Sequence, residues 1–148
     1  MTIGPDYASR PHAERLAVEF LTRVWGPAHD LDAIDELMTE DYAIHSAGSS
    51  IRGRDAFKAW VERFHGVLEG AQNEILEVFA DASGERVVSR WLCTGRNNGI
   101  FGLPPDGRAV AFTGIAIWRV QDGRLAECWA ERAALEAFRA LSEPATEP

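Results

Sequence analysis

The feature that most narrows the fold is a change of hydrophobic period at "EGAQ", Glu69 to Gln72. Before it, apolar residues recur at spacings of three and four. Ala13, Leu16, Ala17, Phe20, Leu21 and Val24 fall on one helical face of the segment Ala13 to Trp25, with Ser9 and Pro11 as start signals. "GPAHD" ends that segment, and Leu31, Ile34, Leu37 and Met38 then share a face of a short second helix. A third runs from about Asp55 to Leu68 with Phe57, Trp60, Val61, Phe64 and Val67 at helical spacing. In "DYAIHSAGSSIRGRDA" only Tyr42 to His45 reads as a brief strand; a Gly/Ser-rich loop follows.

After "EGAQ", Asn73 to Phe79, Arg86 to Thr94, Ala109 to Val120 and Arg124 to Arg132 read as strands, separated by "DASGE", "GRNNGIFGLPPDG" and "QDG". Leu135, Phe138, Arg139 and Leu141 suggest a short terminal helix, and "SEPATEP" is a frayed tail. Helices followed by consecutive strands predict an α+β fold: an antiparallel sheet with its helices gathered on one face. A length of 148 residues, 46% of them hydrophobic, suits one domain spanning 1–148, with a core of about 13–141 and no internal repeat.

Charge removes several function classes. Fifteen Lys and Arg against 23 Asp and Glu leave a formal net charge of -8, a field that opposes nucleic acid. No apolar run approaches the roughly 20 residues that span a bilayer. The N-terminal "MTIGPDYASRPHAERLAVEF" lacks the regions of a signal peptide, so a cytoplasmic protein with no membrane partner is expected. Cys93 and Cys128 form no metal or redox spacing and read as reduced packing residues, and His12, His29, His45 and His65 are scattered. No metal and no cofactor are predicted; neither phosphate-loop glycine pattern occurs.

"VQDGRL" places Asp-Gly between two strand patterns, the signal of a tight hairpin. A two-residue turn pairs Gln121 with Arg124 and, counting outward, Trp118 with Glu127, Ala116 with Trp129, and Gly114 with Glu131. Alternation then collects Phe112, Gly114, Ala116, Trp118 and Val120 with Leu125, Glu127, Trp129, Glu131 and Ala133 on one face. Two indoles, small residues and two carboxylates have the composition of an apolar ligand chamber. A one-residue bulge beside the turn would exchange the faces beyond it.

The order of these segments resembles the SnoaL-like polyketide cyclases of the nuclear-transport-factor-two-like superfamily, over most of Ala13 to Leu141. "GIFGLPPDGR" is similar to the family's G-x-F-x-G-x-P-P-T-G-R loop, and "DGRLAECW" to its D-G-K-I-x-E-x-W. The resemblance implies a cone in which a curved antiparallel sheet and three N-terminal helices enclose a deep apolar cavity, in a homodimer or higher homo-oligomer. It also implies an aspartate, the general base of the cyclases, four residues after the tryptophan. That position here is Ala133.

Glu131, two residues after Trp129, is the candidate replacement: buried beside indoles it would lose hydration, which suits a general base near neutral pH. The alternative places it at the rim or paired with an arginine. His45 is the second catalytic candidate, because the family often has a histidine aimed at the cavity mouth and imidazole titrates near working pH. Asp41 reads as a cap. Trp118, Trp129 and Phe112 are expected to hold the substrate's rings, and Phe101, in a loop whose Gly99 and Gly102 free the backbone, to act as an apolar lid. Asn97 would polarise an oxygen. Trp60 and Phe64 belong to the core or the ligand wall, a distinction that fades around a hollow core. Of neighbours Arg90 and Trp91 one faces inward, with Arg90 favoured as a cavity-end polar group and Trp91 as packing or interface. His65, off the helix stripe, is expected to be exposed.

Two functions follow. One is a cofactor-free enzyme acting by acid/base chemistry on an apolar polyketide-like or polycyclic molecule, through cyclisation, isomerisation or epoxide or ester hydrolysis. The other is a noncatalytic small-molecule-binding protein that lost the family's aspartate at Ala133. A third, structural reading fills the cavity with side chains and leaves a dimerisation module.

Overall fold

The computed structural model describes residues 9–144. The far N-terminus and the last residues of the "SEPATEP" tail lie outside them.

The helical stripes form where the spacing puts them: α1 is His12–Arg23, α2 Asp32–Leu37, α3 Arg54–Val67, and α4 Ala134–Ser142. In α1, Leu16, Ala17, Phe20 and Leu21 are all buried. Its closing Arg23 holds Asp30 at 2.9 Å and Glu36 at 2.9 Å, tying the helix end to the start of the next segment.

The strands are β1 Met38–Ser46, β2 Ser49–Arg52, β3 Leu68–Ala80, β4 Arg86–Asn97, β5 Ala109–Gln121 and β6 Arg124–Arg132. They make one six-stranded sheet in the order β2-β1-β6-β5-β4-β3. Three expectations need correction. Met38 opens β1 instead of ending a helix. The Gly/Ser loop is itself the hairpin strand β2, with His45 opposite Ser50. The sheet is mixed, because β1 pairs with β6 in parallel; α3 and four strands, β2 to β5, intervene between these two, giving the chain the long return that parallel pairing requires.

The curved, unclosed sheet carries α1 and α3 over its concave side. Phe20 and Phe57 meet there with ring centroids 6.0 Å apart, and Phe20 reaches Trp118 of β5 at 5.8 Å. No described helix is long and apolar enough to cross a membrane.

Candidate functional site

The hairpin that orients the site turns as expected and then departs by one residue. Asp122 and Gly123 both have positive φ, 53° and 75°, the conformation of a two-residue type I′ turn, and Gln121 pairs with Arg124. Val120 pairs with Leu125, but Arg119 pairs with Glu127, so Ala126 is an extra residue in β6. The bulge leaves consecutive Leu125 and Ala126 both buried. Because side chains alternate, one inserted residue exchanges the faces of everything beyond it. Cys128, Ala130 and Arg132 turn inward opposite Trp118, Ala116 and Gly114, while Glu127, Trp129 and Glu131 turn out.

The inward face encloses a cavity of about 270 Å³, near the lower end of the roughly 300–1,000 Å³ usual for ligand sites. Trp25, Trp60 and Phe64 form one wall. Trp25 lies edge-on to both others at 5.8 and 5.3 Å. Phe112, Trp91 and Trp118 come from the sheet. Trp91 inserts here because its cross-strand neighbour is Gly114: a Cβ on Gly114 would stand 2.2 Å from the indole ring. Ala47 and Ser49, exposed beside Ser46, place the mouth at the β1–β2 turn.

The polar groups of the chamber are few. Trp118 Nε1 donates to the Tyr42 hydroxyl at 3.3 Å, and burial pushes that phenol well above its ordinary value. Desolvation pushes the Cys93 thiol up to about 11 and the Cys128 thiol up to about 12, so both stay neutral at physiological pH. Asn73 lines the wall with its Oδ1 buried and without a hydrogen-bond partner. Arg132 is half-buried, its guanidinium carbon 5.8 Å from the Trp60 ring, 5.6 Å from Phe64 and 5.7 Å from Phe112. Desolvation lowers its pKa, and no described carboxylate pairs with it. Among the described residues, no Asp, Glu or His lines the cavity.

Of the residues singled out from sequence, Trp118, Phe112, Trp60 and Phe64 line this chamber. The others do not. Trp129 and Glu131 lie exposed on the outer face, displaced there by the Ala126 bulge. His45 is beside Trp129 on that same outer face, with ring centroids 5.7 Å apart. Its Nδ1 is 2.7 Å from Ser50 Oγ and its Nε2 2.7 Å from Glu127 Oε2. Arg119 Nε donates to the other Glu127 oxygen at 3.2 Å. The His45 hydrogen bond foremost, then Arg119, hold the Glu127 carboxyl below its usual range.

Arg90 is exposed and reaches Glu77 at 3.4 Å, because Trp91 takes the inward position. Asn97 is buried and fully occupied by its own loop. Its Nδ2 donates to Pro104 O at 3.0 Å and Asp106 Oδ1 at 2.9 Å, while its Oδ1 accepts from Gly99 N and Ile100 N. Phe101 sits in a 3-10 turn, Ile100–Gly102, at φ 58° and packs between Phe112 and Phe138, each 6.4 Å away, so it is no part of the lining. His65 is half-buried, stacked on His29 at 3.8 Å and bonded to Val24 O. Sequence reasoning missed Trp25, Asn73 and Arg132. The apolar company of Trp25 was a signal for the first; the parity set by Ala126 hid the last.

A SnoaL-like domain model matches residues 17–128. No curated protein matches the chain. Among solved structures, a protein named as a SnoaL-like polyketide cyclase from Jannaschia sp. CCS1 superposes with TM-score 0.82 at 20% identity, covering 90% of this chain and 94% of its own. One named as a polyketide cyclase from Acidithiobacillus ferrooxidans gives 0.80 at 22% identity, covering 98% and 100%. An LEH-like epoxide hydrolase of M. tuberculosis gives 0.69 at 22%, covering 88% and 85%. At such identities the superpositions speak for the fold, and the family model for descent: the chain belongs to the SnoaL-like domain family.

Proposed function

We propose that the chamber holds a compact, ring-bearing, mainly apolar small molecule, and that the protein binds this molecule without acid/base catalysis of its own. The lining carries the reading: aromatic walls, with no Asp, Glu or His among the described residues that face inward. A general base near neutral pH needs a group that is unprotonated there. Tyr42, Cys93 and Cys128 are all held protonated by burial. Ala133, where the resemblance expects an aspartate, fits the same reading.

A second reading keeps catalysis. Similar structures bear the names of cyclases and of an epoxide hydrolase, and a guanidinium in an apolar chamber stabilises charge developing on an enolate or alkoxide oxygen. Any proton acceptor then belongs to the substrate or to water, since Glu131 and His45 lie outside. Tryptophan fluorescence titrated with naphthols and fused-ring quinones, followed by mass analysis of the released compound, separates the two. Quenching with the compound returned unaltered supports a binder, and a product whose formation needs Arg132 supports an enzyme. No quenching by any of them would remove both.

Self-association is part of the proposal. Across the outer face, Phe79, Val88, Ile117 and Trp129 stand in register as an apolar row, with Phe79 50% and Ile117 41% exposed. Beside them Glu77, Arg90 and Glu131 supply both signs of charge, which a second copy meets with its own. A monomer mass in sedimentation up to high micromolar concentration would refute this.

A further inference from the structure

We infer that the ligand of the chamber is an aromatic monocarboxylate, its anionic oxygens on the Arg132 guanidinium at the mouth and its rings in the aromatic interior. The inference rests on reading the chamber as a ligand site and says which chemistry it selects.

Three observations lead there. First, Arg132 has ring faces around it but no hydrogen-bond acceptor: Trp60, Phe64 and Phe112 surround the guanidinium, and no described residue gives it a hydrogen bond or an ion pair. A guanidinium carries five N–H donors in a planar fork. Ring faces attract the cation, but they leave those donors without the oxygens that a bidentate carboxylate supplies.

Second, nothing inside compensates the charge. The titratable group that couples to Arg132 is Cys93, and burial keeps that thiol neutral. A cation partly withdrawn from water without a counter-charge is costly to fold around, and such a group becomes favourable when an anion arrives. Arg132 is also the single cation among the described lining residues, so one negative charge is matched and a dianion such as a phosphate monoester is not.

Third, the position sorts head from tail. His45 of β1 is level with Trp129, and β1 ends one residue later, so Arg132 projects past the end of that strand beside the β1–β2 turn that forms the mouth. Deeper in, the lining is Ala116, Trp118, Phe20 and Phe57. A carboxylate at Arg132 keeps contact with water at the opening while the rings displace water from the apolar end. The net charge of -8 gives no general attraction for anions. Selection therefore falls to this one side chain.

Calorimetric titration of the full-length protein with naphthoate and with its neutral isostere naphthamide tests the inference. Naphthoate is expected to bind about tenfold or more tighter than naphthamide, the worth of a charge-assisted hydrogen bond. Arg132→Met should remove that difference, and an unchanged near-ultraviolet tryptophan spectrum of the variant shows that its chamber is intact. Arg132→Lys should restore part of the preference. Equal affinity for the two compounds in the wild type, or a preference that survives Arg132→Met, would overturn the anion assignment and leave the chamber a ligand site. Failure of both compounds to bind, alongside unquenched tryptophans with neutral naphthols, would instead overturn both.

Discussion

Replacing Arg132 by Met should make the empty protein more stable, contrary to the usual effect of a substitution in a packed region. The loss is readily bounded: three ring contacts at 5.6 to 5.8 Å lie near the outer limit of cation–π attraction, and together they contribute about 1 to 2 kcal/mol. Against this stands the desolvation of a half-buried cation that has no described anionic partner. A fully buried ion costs several kcal/mol, and exposure to the chamber reduces that to about 3 kcal/mol. Methionine fills similar volume, packs against aromatic rings and has no charge to desolvate. The balance favours the variant by about 1 to 2 kcal/mol, or a rise in Tm of about 2 to 8 °C for a chain of this length. Urea unfolding and calorimetry at pH 7 measure both. An Arg132→Met protein less stable than wild type by about 1 kcal/mol or more would refute the reasoning, because the guanidinium would then be compensated in the folded state.

Asn97→Ala removes four hydrogen bonds that shape the Asn97–Asp106 loop and should lower stability by about 2 to 4 kcal/mol, read as a reduced urea midpoint. Gly114→Ala drives a methyl group into the Trp91 indole; a loss of about 1 to 3 kcal/mol with an altered near-ultraviolet tryptophan spectrum is expected. Glu127→Gln weakens the contacts to His45 and Arg119 that hold the carboxyl low. A depressed carboxyl stabilises above its unfolded-state pKa and loses that contribution as pH falls through the native value. The variant should therefore be less stable than wild type at pH 7, and the gap should close only as pH falls from the ordinary glutamate range through the lower native value, in pH-dependent denaturation.

Most of the architecture was legible because it rests on repeating patterns. The stripes Leu16–Phe20–Leu21 and Phe57–Trp60–Phe64 carry the helical period over many residues, and Asp122–Gly123 announces its turn through backbone chemistry that few other pairs satisfy. β2 was hidden because "SSIR" is short, polar and exposed, with no alternation to read. The parallel β1–β6 pairing depends on contacts far apart in the chain, which local patterning does not encode.

The inversion of β6 has a single cause. Inward residues on β5 and α3, where no bulge intervenes before the chamber, were read correctly, while those on β6 were inverted by Ala126. Nothing about an alanine marks it as the extra residue. In retrospect, adjacent apolar Leu125 and Ala126 followed by small Cys128 and Ala130 fit an interior that must leave space for a ligand. Trp129 looked like a chamber wall by composition. Strand parity decides its side, and parity changes with one residue.

Ligand binding on the face carrying Trp118, Ala130 and Arg132 is read directly by intermolecular nuclear Overhauser contacts from bound naphthoate to side chains of the isotopically labelled protein. Contacts are expected from the naphthalene ring protons to Phe112, Trp118 and Ala130, with those beside the carboxylate nearest Arg132. Contacts to Trp129 or Ile117, on the outer face, would contradict it.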